Sequence, residues 1–424
     1  MGESKNWIMM QFQLQMEEIM AEFKVGLIGL GGRGMHQMQN IFTEREDVCV
    51  TYVCDLYEDR CQAGVNLVKS KKGNTPKWTL DYKELIESPD VDVVIVSSAW
   101  ENHVPASVYA MDCGKPVAVE VGGAYSIDDC WQLVDAYERT GIHCMMLENC
   151  CYSANELMVM KMVRAGLFGE IVHCEGGYQH DLRDEIALGD QGRHYRLRNY
   201  QNRCCDNYPT HALGPIAKIL DINRGNRMVK LTSMASGAWG LNEYARTHSN
   251  ITPALQDYKF KQGDVIKTNI LCAHGQTICL TLDTTLPRYY ARGFTVRGTK
   301  GFFGEVENAV FVEGKGSEDH SFFNNVEDFR EEWEHQIWRD YRKAGIRRGH
   351  GGIDWLLFDA YFTSLRENQV PPIDTYDTAA WMAITPLSEI SIANGSMPVD
   401  IPDFTRGMWT HRTEKNTGYY SLDK

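Results

Sequence analysis

The chain has 424 residues and a formal net charge of −14. That length calls for two or three domains and a core that needs no metal or disulfide staple, and the acidic balance argues against nucleic acid or an anionic membrane surface as the main partner. No apolar run approaches the ~18 residues of a membrane helix. The 13 cysteines are scattered without a C-x-x-C pair, which fits free thiols in a reducing compartment and not a zinc ribbon.

Residues 1–22 read as a helical N-terminal extension. They lack a twin Arg, a basic start and a clean apolar core, because Glu17, Glu18 and Glu22 interrupt it. A cytoplasmic location is the expectation. The organising stretch follows at residues 23–34, FKVGLIGLGGRG. An apolar strand ends in Gly29, Gly31 and Gly34, with Gly32 and Arg33 between them, and a helix-compatible stretch spans 35–43. This G-x-G-x-x-G pattern suits a strand that turns sharply into a helix whose free N–H groups face a pyrophosphate. A second strand, 48–54, ends in Asp55, about 20 residues past the glycines, where a carboxylate holds a ribose 2′-hydroxyl and repels a 2′-phosphate. The cofactor expected is therefore NAD.

Helices at 56–71 and 82–87 come next, with an apolar strand at 91–96. Ser98, Trp100 and His103 lie just past that strand, on the edge that faces a cofactor in an open parallel sheet. The pattern continues with a helix at 103–113, a strand at 116–120 ending in Glu120, a helix capped by Ser126 that Gly141 stops, and a strand at 143–147 ending in Glu148. Alternation of this kind predicts a doubly wound parallel sheet over residues 23–150. Beyond a helix at 153–165 the pattern changes. Longer alternating runs at 171–178, 229–236, 265–273, 277–284 and 290–297 predict an α+β domain over 151–424 with a large, mostly antiparallel sheet. Stretches 182–206 and 239–263 read as long loops, and 331–344, 353–366 and 375–393 as helices. The exposed face of the second sheet is expected to be covered by another copy of the chain.

Four polar groups stand out. Glu148 ends a strand of the first domain. Tyr178 and His180 are two apart on a strand, so they share a face. His211, in NYPTH before an apolar helix, is placed to accept a proton from a sugar hydroxyl. Tyr195 and Tyr208 add loop hydroxyls. Glu148, His180 and His211 also make a two-His, one-carboxylate set that would suit a divalent metal such as manganese.

This layout resembles the Gfo/Idh/MocA oxidoreductase superfamily over nearly the whole chain. Most members carry Glu-Lys-Pro after the strand that here reads GKPVAVE. In this chain Glu120 is followed by Val121, Gly122 and Gly123, so that Lys is absent. The departure, with the stretches GLGGRG, MMLENCCY, EGGYQHDLR, NYPTHALGP and HGGIDW, resembles glycoside hydrolase family 109, the NAD-dependent α-N-acetylgalactosaminidases. The superfamily's Asp-x-x-x-His motif is matched at its His by His211, with Asn207 at the Asp position. The resemblance implies an active site of residues equivalent to Glu148, Tyr178, His180 and His211, with a further tyrosine at Tyr195. It implies a small-molecule glycoside as substrate and a redox-assisted hydrolysis, in which C3 is transiently oxidised, the glycosidic oxygen eliminated, water added and C3 reduced again. A dehydrogenase that stops at the 3-keto-glycoside is the alternative.

Overall fold

A computed structural model describes residues 22–315 and 323–423. The expected N-terminal extension therefore lies, apart from Glu22, outside the described residues. Strands β1 (Phe23–Ile28), β2 (Val48–Cys54), β3 (Lys77–Thr79), β4 (Val93–Val96), β5 (Val117–Val119) and β6 (Cys144–Met146) form one sheet in the order β3-β2-β1-β4-β5-β6, every neighbouring pair parallel. β4, β5 and β6 are buried along their whole length, as a parallel sheet covered on both faces requires. The chain order reverses between β1 and β4, so the cofactor crevice opens at the C-terminal ends of those two strands.

The glycine turn is locked by its surroundings. Gly29 has φ +95°, and a Cβ there would sit 2.5 Å from the Ser97–Ser98 peptide. A Cβ on Gly34 would collide with the Gly29 carbonyl, so the helix Gly32–Asn40 can lie this close to the turn only as glycine. Behind Glu120, where the superfamily has Lys-Pro, Val121 is buried and Gly122 takes φ +135° beneath the Trp100 ring.

The second sheet has eight strands: β7 (Ile171–Gln179), β8 (Met228–Ala235), β9 (Val265–Cys272), β10 (Thr277–Asp283), β11 (Thr295–Gly298), β12 (Gly301–Gly304), β13 (Ala309–Val312) and β14 (Val399–Asp400). Its order is β13-β12-β11-β7-β10-β9-β8-β14. All pairs are antiparallel except β7 with β10. β9 alternates buried and exposed residues without a break, which marks one covered and one open face. Met234, Leu271 and Phe311 are exposed on the sheet's strands.

Several expectations are corrected. The stretch 182–206 holds two helices, Arg183–Ala187 and Arg196–Asn202, and 239–263 holds Gly240–Thr247 and Pro253–Gln256. The helix Arg196–Asn202 buries Arg196, Asn199 and Tyr200 with Leu197, so its inner face is too polar to show apolar periodicity. The helix expected from 103 begins at Trp100, because its first turn faces the polar cofactor edge. The strand expected over 290–297 is only Thr295–Gly298, which leaves Tyr290 free of the ladder. The helices expected at 331–344 and 375–393 are each broken in two. β3, β12, β13 and β14 are too short to stand out by pattern. Among the described residues no helix is long and apolar enough to cross a membrane.

Candidate active site

Strand β6 delivers Glu148 two residues past its end, and the side chain is fully buried. His211 comes from the first turn of the helix Thr210–Ile219. That helix packs against β7, with Ala212 against Gly176, and brings the imidazole to the carboxylate. His211 Nδ1 donates to Glu148, at 2.9 Å from Oε1 and 3.1 Å from Oε2. The Cys150 N–H donates to the same Oε1 at 3.1 Å. Burial pushes the Glu148 carboxyl up, but the His211 charge and these hydrogen bonds leave it below the usual carboxylate range. Burial opposes charge on His211 as well; Cys150 and Glu148 outweigh it and hold the ring protonated well above the ordinary imidazole range.

β7 ends beside this pair. The Tyr178 hydroxyl lies 2.9 Å from His180 Nδ1. The Tyr178 ring lies 4.2 Å from Tyr208 and stands edge-on to His211 at 5.4 Å. Burial, then the Arg196 charge, lowers the His180 pKa, so this imidazole is readily neutral. Tyr195 reaches the cluster through Trp100, ring centroids 4.9 Å apart, and burial raises its hydroxyl to about 12. The structure thus gathers Glu148, His211, Tyr178, His180 and Tyr195 around one cleft.

Three further residues there escaped sequence reasoning. Arg196 is buried, with its guanidinium carbon 5.4 Å from the Trp100 ring and 5.2 Å from Tyr208. Tyr290 stands edge-on to His180 at 5.2 Å. Cys150 lies against Glu148 and His211. Arg196 follows Tyr195 in a charged stretch, and only that adjacency pointed to it.

The expected metal set does not form as predicted. Glu148 and His211 converge with Cys150 as the third group, and His180 is outside that cluster. Manganese prefers oxygen donors, whereas a thiol and an imidazole suit softer ions. The carboxylate also already holds the imidazole. This donor set does not fit manganese. A second group of metal-binding residue types, His36, His350 and Asp354, is occupied by the Arg33 guanidinium.

The expected cofactor residues lie at or just past the C-terminal ends of β1, β2, β4 and β5. Nothing stands within 4 Å of where a Cβ on Gly32 would lie, and only the tip of Arg60 approaches that of Gly31, at 3.7 Å. This is the open cradle a pyrophosphate needs. Asp55 anchors it: Oδ2 accepts from Leu30 N–H at 2.7 Å and Oδ1 from Tyr57 N–H at 3.1 Å, which leaves each oxygen a lone pair for a ribose hydroxyl. Arg33 and Glu120 turn toward each other. Arg33 Nε donates to Glu120 at 2.7 Å, and its two terminal nitrogens grip Asp354 at 2.9 and 3.1 Å. Asn149 also donates to Asp354, at 2.7 Å. His103 is buried and donates from Nε2 to the Ser98 carbonyl at 3.0 Å, so it shapes the turn. The buried Trp100 ring packs against Tyr195 and Tyr208, with ring centroids 4.9 and 6.1 Å away. Above the cradle, Arg60 donates to the Gly192 carbonyl at 2.9 Å and Arg193 pairs with Asp59, which draws a loop of the second half over the glycine turn.

A parallel Rossmann sheet joined to a one-face-open sheet, with the buried Glu148–His211 and Tyr178–His180 pairs where they meet, defines a two-part enzyme of the NAD-binding Rossmann class. Residues 23–148 match the oxidoreductase family with an NAD-binding Rossmann fold, and residues 152–411 match the glycosyl hydrolase 109 C-terminal domain. The chain belongs to glycosyl hydrolase family 109. It is 36% identical over 412 residues to an α-N-acetylgalactosaminidase of Tannerella forsythia, covering 92% of this chain and 87% of that one. It is 39% identical over 396 residues to a glycosyl hydrolase family 109 protein of Solibacter usitatus, covering 92% and 90%. Among solved structures it shares its fold with a levoglucosan dehydrogenase in complex with NADH and levoglucosan (TM-score 0.67, 18% identity, 90% of this chain and 100% of that one). A myo-inositol 2-dehydrogenase of Lactobacillus plantarum gives a TM-score of 0.63 at 14% identity, over 90% and 100%.

Proposed function

We propose that this chain cleaves glycosides by transient oxidation at C3, with no net redox change, on α-N-acetylgalactosaminides or related sugars. The observation that carries this reading is the Glu148–His211 pair at the sheet edge, facing Tyr178–His180 and adjoining the glycine cradle. NAD, when bound by Gly29–Gly34, Asp55 and the Ser98 turn, supplies the reversible hydride acceptor.

The proton movements fall to the chain. Glu148 fixes Nδ1–H of His211, so the other ring nitrogen exchanges a proton with the C3 oxygen, taking it as the ketone forms and returning it as the alcohol is restored. Because the ring holds its proton above the ordinary range, the oxidative step climbs with pH until His211 is neutral. The ketone acidifies the C2–H; the Tyr178 oxygen takes that proton as its own hydroxyl proton passes to neutral His180 Nδ1, 2.9 Å away. The glycosidic oxygen then leaves C1 with the proton that His180 gained, and water adds across the C1–C2 double bond, its oxygen going to C1 and a proton to C2. No pair of facing carboxylates is needed for this route. The clasp of Arg60 on Gly192 and Arg193 on Asp59 supports a cofactor kept in place through the cycle, as a redox-neutral reaction requires. The open face of the second sheet, with Met234, Leu271 and Phe311 exposed, is suited to contact with another copy of the chain.

The test is a panel of p-nitrophenyl α- and β-glycosides with the purified chain, with and without added NAD and Mn²⁺. Nitrophenol release without NADH accumulation supports the proposal. NADH accumulation without nitrophenol identifies a glycoside 3-dehydrogenase instead.

A further inference from the structure

Beyond the proton-transfer cluster lies a cavity of about 380 Å³, whose lining includes Cys150, Tyr290, Arg292, Trp338, Arg342 and His350. Two of its walls belong to the cleft already described. Cys150 touches Glu148 and His211, and Tyr290 stands against His180 and Tyr178. The cavity therefore meets the cleft at Cys150 and Tyr290, and its other side reaches His350, 3.2 Å from the Arg33 guanidinium.

Its lining has one sign of charge. Arg292 and Arg342 carry it, beside the His350 imidazole, and no carboxylate lines the cavity. Each of the three side chains has an acidic partner that is not part of the lining. Arg292 pairs with buried Glu156, Arg342 Nε donates to Glu334 at 2.8 Å, and His350 Nδ1 is 2.6 Å from Asp354. Trp338 and Ile353 supply apolar surface for a ring. The Trp338 indole is pinned through Nε1 to the Tyr152 carbonyl at 2.8 Å, and Arg342 lies 5.2 Å from its centroid. Pockets combine apolar walls with a few placed polar groups that select orientation. Here those groups are cationic, in a chain whose net charge of −14 would otherwise repel an anion.

We propose that this cavity is the leaving-group subsite and that it selects an aglycone sugar carrying a negative charge, a uronate or a sulfate ester. The inference rests on the glycosidase reading for the identity of the occupant. The guanidinium of Arg342 is the selecting group, because Arg292 is more deeply committed to Glu156 and His350 to Asp354.

The test is calorimetric titration of the full chain, with NAD present to fill the pyrophosphate cradle, using D-galactose, D-galactose 6-sulfate and D-glucuronate. Both anionic sugars should bind at least about tenfold more tightly than galactose. Arg342→Gln should erase that difference, while Arg339→Gln, on the same helix but outside the lining, should keep it. If only the sulfate or only the uronate gains affinity, the proposal narrows to that anion. Equal binding of all three sugars, or a preference that survives Arg342→Gln, overturns it. Nitrophenol release from neutral aryl glycosides is scored separately, so a failed glycosidase reading and a failed subsite give different results.

Discussion

Two buried polar clusters meet just beyond β6, and they are built on opposite plans. In the first, Arg33 satisfies both Glu120 and Asp354, and Gln37 and Asn149 donate to the same Glu120 Oε1 and Asp354 Oδ1 that Arg33 holds. In the second, Glu148 faces His211 and Tyr178 faces His180, each pair joined through an imidazole nitrogen, a group that can gain or lose a proton. The first cluster has an ion that cannot lose its proton, so it fixes shape. The second has protons it can move. Neighbouring residues of one strand end, Glu148 and Asn149, serve the two plans.

The largest expected effect is on the second cluster. His211→Ala should cut turnover about 10³-fold without changing the far-ultraviolet circular dichroism, measured on whichever aryl glycoside the wild type cleaves. Full activity in that variant would remove the proposed base. The corresponding break in the first cluster is Arg33→Met. It strands two buried carboxylates and should cost about 3–5 kcal/mol in urea unfolding at pH 7. The sign with pH is fixed by Asp354. Burial raises its pKa, but His350 and Arg33 bring it far below the carboxylate range. Its stabilisation is present above the unfolded value of about 3.9 and is lost as pH falls through the folded one. The deficit of Arg33→Met should therefore shrink in acid, and a deficit that is flat with pH would mean the arginine acts by packing alone.

The same contrast explains what the sequence could disclose. The first sheet was legible because strands, glycines and acid occur at fixed spacing, and buried parallel strands are uniformly apolar. Strands β7 to β10 were legible from alternation, but the parallel β7–β10 pair was not, since pairing partners leave no mark on periodicity. In the cleft, Glu148 and His211 stood at strand and helix ends, where the fold itself points to the ligand. Arg196 sits on a helix whose buried face is polar, and Tyr290 on an exposed stretch before β11, so apolar periodicity marked neither. His180 was misplaced as a metal ligand because sequence gives residue type without direction. In the structure its Nδ1 is turned to the Tyr178 hydroxyl.

A smaller break separates the two halves of the second cluster. Tyr178→Phe should lower kcat by about 10²-fold with little change in KM, because it removes a proton acceptor and keeps the ring that packs on Tyr208. If C2 proton removal is its task, exchange of the C2 hydrogen with solvent deuterium should fall with it.

Asp206 sharpens the contrast from outside both clusters. It opens the segment that carries Tyr208 and His211, and burial raises its carboxyl to about 7, only partly offset by Thr268 and the Tyr208 N–H. Because the folded value is raised, the fold gains from this proton fully below the unfolded value of about 3.9 and loses that gain as pH rises through about 7. Asp206→Asn should thus unfold at a higher temperature than the wild type above pH 7 and match it near pH 4. A variant less stable at pH 8 would show that the ionised carboxylate is the form the fold wants.

The smallest effect is expected at His103, and it is informative for that reason. This histidine lies on the cofactor edge, where an imidazole invites a catalytic role. Its Nε2 donates to the Ser98 carbonyl, and burial, only partly countered by that bond, lowers its pKa to about 4. A ring that is neutral throughout the working range moves no proton. His103→Gln keeps a donor at the place of Nε2, so stability should change by less than about 1.5 kcal/mol and the pH–rate profile should keep its shape. His211→Ala, by contrast, should remove the limb that its own titration creates. Loss of that limb in His103→Gln would move the titrating group to the first half of the chain, and the Glu148–His211 pair would then be one more device for holding shape.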